Sequence, residues 1–446
     1  MRLQRAGCGR IFLLGFFLVI AIGSAQADLL APADLLRSED PVVIKGEKFP
    51  AFLGAELPHL GLFAFKNGGL VPIPFQIDEK TPSGEYVFSE GEKKNSDPEP
   101  DFDANDELVF MAKDAGDRTD SLNLPGLIKA YEIEISDPLG RGRAWAYLGL
   151  FTSHPARSPV DYVQQKYLPE TDSYLIEASN YAYSSPARAV YYDYLALRQP
   201  DGSLGPDLVD QLKIRGKVFI FFGKIKIPFN FDQLVHSRIT AWKDGAVRVI
   251  KRGEGYLKVA VVKIEGSGYS VLYFYPNFFI YPMTLELPMD LRKVVSDIEL
   301  YGATDFTKSA YGWHYYDARN PFNPEVVLDG KMSRAEENLK RDFDHNWHCN
   351  IGAVGNFCHR IIFPPEWKEI KREVFYLDDA GFNDPPEFEP GFSGSGYLFR
   401  NFIRLKKGAQ TYWMHYYFPK DFQPGEEWKI LDILDHPLKI KVQQIK

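Results

Sequence analysis

A short run of oxygen-bearing side chains in the first quarter of the chain has the composition of a calcium-binding loop. Hard cations such as Ca²⁺ take six to eight oxygen ligands, and acidic or amide side chains at close spacing can supply several of them. The match to a helix-loop-helix calcium loop is partial, because its sharp-turn glycine is replaced by an aspartate and Ala112 stands where its final glutamate belongs. Two interpretations therefore stay open, a solvated acidic loop or a calcium site. The candidate ligands are Asp101, Asp103, Asn105 and Asp106.

A second cluster combines histidines with two cysteines. Cys349 and Cys358 enclose a glycine-containing segment, and the third cysteine of the chain, Cys8, falls in the predicted leader described below. Zinc binding, free thiols and a disulfide are the alternatives. An oxidising compartment favours the disulfide.

Three histidines flank this cysteine pair, namely His345, His348 and His359. Imidazole has an ordinary pKa near 6.5 and is the usual proton-transfer group at neutral pH. The segment could line a site for an anionic or sugar ligand, because Asp344, Trp347, Arg341 and Arg360 stand nearby. The alternative is that these side chains only pack and solvate a cross-linked loop.

Aromatic and polar residues alternate in a third segment, 311–319. Aromatic rings offer flat apolar faces that suit sugar C–H groups, while carboxylate and guanidinium groups can bind hydroxyls. High aromatic content throughout the chain gives the competing interpretation, in which these rings belong to the core. The candidate ligand-binding residues are Trp313, His314, Tyr316, Asp317 and Arg319.

The elements that carry these clusters are predicted to be mainly strands. Aromatic residues make up 15% of the chain, and such side chains suit the pleated surface of a sheet. Turns are predicted at Asn67-Gly68, at Asp244-Gly245 and at Gly266-Ser267-Gly268. The clearest predicted strands cover residues 129–136, 143–151, 213–231, 237–242, 246–250, 256–265 and 269–287.

A chain of 446 residues exceeds what one hydrophobic core usually serves, so two domains are expected. We predict an N-terminal β-sandwich at 28–155, a connector that ends at residue 172, and a larger C-terminal β-sandwich or supersandwich at 173–446. Few short helices are expected. The clearest spans 333–340, where Ser333 and Glu336 have the spacing of a capping box, and a second is considered at 288–298.

The N-terminus has the features of a cleavable signal peptide covering residues 1–27. Three arginines precede an apolar run from 11 to 22, and the segment ends in Ala25-Gln26-Ala27. The run is too short for a comfortable membrane anchor, so no transmembrane segment is expected after cleavage. We expect a periplasmic or extracellular protein. A net charge of −8, which becomes more negative without the leader, argues against nucleic acid as a partner.

Two stretches of sequence resemble known groups of proteins. The passage 71–79, followed by 103–114, resembles a segment of uncharacterised secreted bacterial β-sandwich proteins. The stretch 244–255 is similar to sheet segments of polysaccharide lyases and related proteins of the β-supersandwich type. The resemblance implies an exported β protein, and it transfers no catalytic residue.

The sequence contains no Gly-x-Ser-x-Gly, His-Glu-x-x-His, phosphate-binding glycine loop or Rossmann fingerprint. The function that we expect is recognition, with cleavage as an open question, of an envelope or extracellular polysaccharide. The rival is a non-catalytic envelope component that assembles with another exported protein.

Overall fold

The structure is a computed structural model and describes residues 29–189, 191–230, 235–259, 264–287, 289–293, 295–342, 345–385 and 388–446. The predicted signal peptide, residues 1–27, lies outside the described residues, as do Cys8 and Asp344. Within the described ranges, no helix is both long enough and apolar enough to cross a membrane.

The prediction of a mainly β protein is confirmed. Strands make up 49% of the structure and helices 10%, and the described residues form 28 strands in six antiparallel sheets. The first ten strands are β1 (Leu29–Ala31), β2 (Pro41–Lys45), β3 (Leu60–Lys66), β4 (Gly69–Pro72), β5 (Gln76–Asp78), β6 (Glu90–Gly91), β7 (Glu107–Met111), β8 (Arg118–Thr119), β9 (Leu127–Ser136) and β10 (Arg143–Phe151).

The later strands are longer, and two α-helices lie among them. They are β11 (Val163–Leu168), β12 (Ser173–Ala178), β13 (Tyr181–Pro186), β14 (Tyr194–Leu197), β15 (Val209–Ile220), β16 (Ile225–Asn230), β17 (Val235–Asp244), β18 (Val249–Val259), β19 (Ile264–Phe274), β20 (Phe278–Leu287), β21 (Asp297–Phe306), β22 (His314–Asp317), α1 (Arg334–Glu337), β23 (Trp347–Gly352), β24 (Gly355–Ile362), β25 (Lys371–Asp379), β26 (Phe392–Arg400), β27 (Gly408–Tyr417), α2 (Trp428–Asp435) and β28 (Lys439–Gln444).

Two sheets of the N-terminal half enclose the first core. A five-stranded sheet has the order β28-β9-β10-β3-β4, and a three-stranded sheet has the order β2-β7-β5. Leu62, Phe110 and Ile133 are among the side chains buried between them. Strand β3 is buried along nearly its whole length, which explains why its sequence is a nearly continuous run of apolar residues.

A nine-stranded sheet organises the rest of the molecule, in the order β22-β23-β24-β27-β20-β19-β18-β17-β6. One face packs on a four-stranded sheet, β11-β12-β13-β14, and on a five-stranded sheet, β16-β15-β21-β26-β25, with Phe279 and Tyr416 in the shared core. The other face packs on β7 and on α2, through residues such as Met111 and Ile430. Strand β22, which carries predicted ligand residues, is an edge strand of this sheet.

Two strand pairings cross the predicted division of the chain into 28–155 and 173–446, which itself stays a prediction. The C-terminal strand β28 pairs with β9 in the N-terminal sheet, and the short β6 pairs with β17 in the nine-stranded sheet. Neither pairing is readable locally, because each joins segments far apart in the chain.

The local turn and helix signals were mostly reliable. Hairpins at Asn67-Gly68 and Asp244-Gly245 are confirmed by the pairings of β3 with β4 and of β17 with β18. Helix α1 has the predicted capping box between Ser333 and Glu336, although it ends at Glu337.

Other local predictions were wrong. Residues 266–268 lie inside β19, where Gly268 faces Gly255 of β18, so these glycines continue a long hairpin rather than turn it. The predicted strand 269–287 is divided between β19 and β20 by a tight turn in which the amide of Tyr275 donates to the carbonyl of Phe278. The described part of 288–298 holds a single 3-10 turn, Leu291–Lys293, and the first two residues of β21 rather than a longer helix. Strand β11 lies within the predicted connector, which stays a prediction.

Candidate functional site

The hairpin of β23 and β24 holds the predicted cysteine pair. Cys349 and Cys358 face one another in the strand register, with Cα atoms 4.1 Å apart, and their sulfurs form a disulfide. Both residues are buried, with exposures of 0% and 1%. The predicted disulfide is confirmed, and sulfurs joined in this way cannot serve as thiolate ligands of zinc.

Side chains alternate along a strand, so the neighbours of the cysteines point to the opposite face of the sheet. There His348 and His359 form a cross-strand pair with ring centroids 5.3 Å apart. The ring of Tyr397 lies 5.3 and 5.0 Å from them, and Tyr416 stacks on His359 at 4.4 Å. Both histidines are buried. We call these two histidines and Tyr397 the imidazole cluster.

Burial decides the protonation of this cluster. It lowers the pKa of His348 to about 3 and the pKa of His359 well below its usual range. It also raises the pKa of Tyr397 well above its usual range. At neutral pH the imidazoles and the phenol are therefore all uncharged, and Nε2 of each histidine has no hydrogen-bond partner among the described residues, so the cluster holds no charge that would attract an anion.

Asp317 at the end of β22 supplies the fixed negative charge beside the cluster and faces His348 in the register. Its carboxylate accepts hydrogen bonds from the Tyr315 hydroxyl at 2.6 Å and from the Asn320 amide at 2.9 Å. His345 Nε2 lies 3.5 Å from Oδ1 of Asp317. Burial opposes ionisation, but the hydrogen bonds from His345, Tyr315 and Asn320 outweigh it and lower the Asp317 pKa to about 2. This carboxylate is thus an anion that orients its neighbours.

The other face of β22 carries a row of rings that reaches the surface. The ring of His314 lies 5.4 Å from that of Phe322, which lies 6.3 Å from Tyr316. Tyr316 lies 5.9 Å from Trp347, whose ring lies 6.4 Å from that of His345. Phe322 is 41% exposed, and His314 and Trp347 keep part of their surface in solvent. We call these five residues the edge row.

The structure separates the remaining predicted ligand residues from these groups. Trp313 is fully buried and packs on Phe306 and Phe357, with ring centroids 5.1 and 6.4 Å away, so it presents no surface to a ligand. Arg319 is exposed, and its backbone amide donates to Asp317. The sequence analysis had therefore named five residues of these groups, which are His314, Tyr316, His345, His348 and His359.

The predicted ligand residues did not include four residues of the site. They are Tyr315, Phe322, Trp347 and Tyr397. Tyr315 and Trp347 stand within the segments already singled out, so their alternation with Tyr316 and His348 was the available signal. Tyr397 had none, because strand β26 reaches the cluster only through sheet packing.

The acidic loop forms a separate group near the N-terminal sheets. Asp97, Asp103 and Asp106 each offer a carboxylate oxygen, and these oxygens lie within 4.8 Å of one another. Asp101 is exposed and is not part of this group. Asn105 directly precedes Asp106, which is a member of the group. The structure therefore brings together two of the predicted ligands with Asp97, which the ligand set had omitted.

Comparisons with known proteins identify no family. No protein-family model matches the chain, and no curated protein matches it. Among solved structures, the chain is similar to a protein of Klebsiella pneumoniae subsp. pneumoniae provisionally named an aldose 1-epimerase, with a TM-score of 0.35 and 12% identity over 57% of this chain and 83% of that one. At that TM-score neither a substrate nor a residue role can be transferred.

Proposed function

We propose that this protein is exported and recognises an envelope or extracellular polysaccharide at the edge row. The observation that carries the proposal is the group of partly exposed rings of His314, Phe322 and Trp347 at an edge strand, which the buried ring of Tyr316 joins from beneath. Rings at an accessible sheet edge can stack on successive sugar units, because each supplies a large apolar face at a low cost in side-chain entropy. The buried disulfide supports export to an oxidising compartment.

The geometry supports recognition more directly than cleavage. General acid-base catalysis requires the proton-transfer groups to come within hydrogen-bond reach of the substrate. His348 and His359 are 1% and 5% exposed, so a bound glycan would meet the edge row rather than the imidazole cluster. Cleavage would require β26, whose Tyr397 covers the two histidines, to move away from them, and it is a separate hypothesis.

A glycan panel tests the proposal with purified mature protein. We expect binding of at least one acidic or neutral polysaccharide, and we expect the double variant Phe322→Ala/Trp347→Ala to bind it about tenfold or more weakly, since stacking is worth roughly 1 kcal/mol per ring. The matched control is Phe222→Ala, which removes an aromatic ring that is 98% exposed elsewhere on the surface.

The outcomes separate recognition from cleavage. Release of new chain ends from the bound glycan, lost in His348→Gln but not in the control, would support an enzyme. Binding without new chain ends would support recognition alone. Absence of binding across the panel, or equal binding by the double variant and the wild type, would refute the proposal.

A specific surface favours the rival function, assembly with another exported protein. The tip of the β15–β16 hairpin exposes Phe221 by 67% and Phe222 by 98%, and Ile225 beside them is 46% exposed. Both phenylalanines have positive φ angles, 52° and 59°, a backbone conformation that is unfavourable for bulky residues. Exposed apolar side chains at such a tip are typical of a contact surface.

Assembly is tested by sedimentation of the protein with envelope extract. The rival predicts a complex with one defined exported protein that forms with the wild type and with Phe322→Ala/Trp347→Ala, and is lost in Phe221→Ser/Phe222→Ser. A complex that survives the hairpin double variant would contradict it.

A further inference from the structure

We propose that Asp97, Asp103 and Asp106 bind a calcium ion that fixes the segment between β5 and β7. The set differs from the one that sequence spacing indicated, because Asp97 takes the place of Asp101. The proposal is independent of the polysaccharide function.

The distances fit one ion. Calcium binds oxygen at roughly 2.3–2.6 Å, so two ligands on opposite sides of it are about 5 Å apart. The three carboxylate oxygens lie within 4.8 Å of one another, which allows all of them to reach a common centre.

Two buried oxygens at this place have no hydrogen-bond partner among the described residues. One is Oδ2 of Asp97, whose residue is only 8% exposed, and the other is Oδ1 of Asn105. An unsatisfied buried oxygen destabilises the fold, and more strongly when it is charged. A cation would satisfy the Asp97 oxygen, and Asn105 could add a neutral ligand, since its amide nitrogen is already committed to the carbonyl of Thr81.

The carboxylates are held in place before any ion arrives. Oδ1 of Asp97 accepts the Glu99 amide at 3.0 Å, and Oδ1 of Asp103 accepts the amides of Asn105 and Asp106 at 2.8 and 3.2 Å. The two oxygens of Asp106 accept the amides of Lys80 and Asp103, both at 3.0 Å. These bonds orient the groups and leave lone pairs on the same oxygens.

The local charge balance is negative. Glu79 lies close enough to interact with the charges of Asp97 and Asp103, so a further carboxylate stands beside the three ligands. Two neighbouring lysines are engaged elsewhere, because Lys80 pairs with Glu107 and Lys243 pairs with Asp78.

The donor set favours calcium over other metals. All available ligand atoms are oxygens, whereas zinc and copper prefer nitrogen and sulfur ligands. Asp103 and Asn105 also line a surface cleft of about 690 Å³, so water can complete the six to eight ligands that calcium accepts. Magnesium requires a tighter octahedron and keeps most of its own water.

Position in the fold gives the ion a mechanical role. The segment from 79 to 106 contains β6, which pairs with β17 of the nine-stranded sheet. Asp106 immediately precedes β7, whose Glu107 binds Arg248 beside that sheet. An ion held by Asp97, Asp103 and Asp106 would close this segment on itself and hold both attachments.

The test is calcium titration of the metal-free, full-length mature protein by calorimetry, with thermal unfolding in CaCl₂ and in chelator. We expect one calcium per chain and a Tm about 3 °C higher at a hundredfold excess over Kd. Asp97→Asn should weaken binding about tenfold or more. Asp101→Asn is the matched control, because it removes one exposed acid from the same loop and should leave both values unchanged.

Circular dichroism confirms that Asp97→Asn folds before its affinity is interpreted. Four results would overturn the proposal: no calcium binding by the wild type, equal weakening by Asp101→Asn, equal affinity for MgCl₂, or a Tm of Asp97→Asn that exceeds the wild type in chelator and in calcium alike. The last result would mean that the cluster is an unneutralised acidic patch.

Discussion

Arg248 and Asp78 form a buried ion pair although 170 positions separate them in the chain. Nε of Arg248 donates to Oδ2 of Asp78 at 2.8 Å, and the two side chains are 3% and 0% exposed. The same guanidinium donates to Glu107 at 2.6 Å and to the Tyr275 hydroxyl at 2.7 Å. Burial opposes ionisation of Asp78, but the charges of Arg248 and Lys243 outweigh it and lower the Asp78 pKa. The network joins the three-stranded sheet to the nine-stranded sheet.

Replacing Arg248 should therefore loosen this junction. Arg248→Met leaves the carboxylates of Asp78 and Glu107 buried without their main partner, and we expect a loss of about 3–5 kcal/mol in the free energy of unfolding. Urea denaturation at pH 7 measures it. Arg238→Met is the control, because its partner Glu92 is exposed, and such pairs contribute about 0–1 kcal/mol. Similar losses in the two variants would show that the network does not hold the sheets together.

Acid should destabilise the fold through its buried histidines. Burial lowers the pKa of His348 and of His415 to about 3, whereas the unfolded chain has the ordinary value near 6.5. Below pH 6.5 the unfolded state therefore binds protons that the folded state does not, and stability falls until about pH 3 by roughly 1.4 kcal/mol per pH unit per histidine. Four carboxyls whose pKa values burial raises to about 6 act in the opposite direction between pH 6 and 4, so the measured pH dependence is the difference between the two effects; they are Asp40, Asp106, Asp193 and Asp305.

His348→Gln isolates one histidine. We expect the slope of unfolding free energy against pH, measured by urea denaturation between pH 6 and 5, to decrease by about 1.4 kcal/mol per pH unit. The exposed His154 offers the comparison, and His154→Gln should keep the wild-type slope. An unchanged slope in His348→Gln would contradict the assigned protonation.

Reduction of the disulfide should cost stability without changing the strand pairing. Cys349 and Cys358 are separated by 9 residues, and closing a loop of that size in the unfolded chain is worth roughly 3 kcal/mol. Urea unfolding with and without dithiothreitol measures the difference. Cys349→Ala/Cys358→Ala should show the loss without reductant and no further effect of dithiothreitol. If reductant destabilises that double variant as well, the effect does not come from this disulfide.

Lys251 is predicted to cost stability rather than add it. Its Nζ is buried without a hydrogen-bond partner among the described residues, 4.8 Å from the Tyr174 ring centroid. Burial lowers its pKa to about 7, so between pH 10 and 7 the unfolded chain takes up a proton that the folded chain resists. Wild-type stability should rise by about 1.4 kcal/mol per pH unit from pH 7 to 9.

The variant Lys251→Met should be more stable than the wild type at pH 7 and should lack this rise. Lys251→Arg, which keeps the charge, is the control and should be the least stable of the three. Destabilisation by methionine would instead indicate that the amine has a partner.

Local sequence signals succeeded where one segment contains all the atoms involved. The hairpin at Asn67-Gly68 and the capping box of Ser333 and Glu336 depend on neighbours a few residues apart, and the turn or cap chemistry requires those residue types. The disulfide was predictable because only two cysteines, nine positions apart, stand outside the predicted leader. The turn predicted at residues 266–268 was wrong because a glycine-rich sequence is equally compatible with a turn and with the middle of a long hairpin.

The residues of the candidate sites could not be grouped correctly without knowledge of the strand register. Spacing along the chain grouped Asp101 with Asp103, but folding of the loop exposes Asp101 and turns Asp97 inward. Alternation could have placed Tyr315 and Asp317 on one face of a strand and Tyr316 on the other, but it could not reveal that Tyr397 or Phe322 would meet them. Those contacts depend on which distant strands pair.

The sequence alone therefore predicted a mainly β fold, two of its hairpins, its disulfide, and the segments in which charged groups and aromatic rings are concentrated. Only the folded molecule decided which side chains are buried and which meet, including the removal of Trp313 into the core and the pairing of Asp78 with Arg248. The reason is that side-chain periodicity and turn chemistry act over a few residues, whereas burial and ion pairing depend on the order of strands in sheets, which long-range contacts determine.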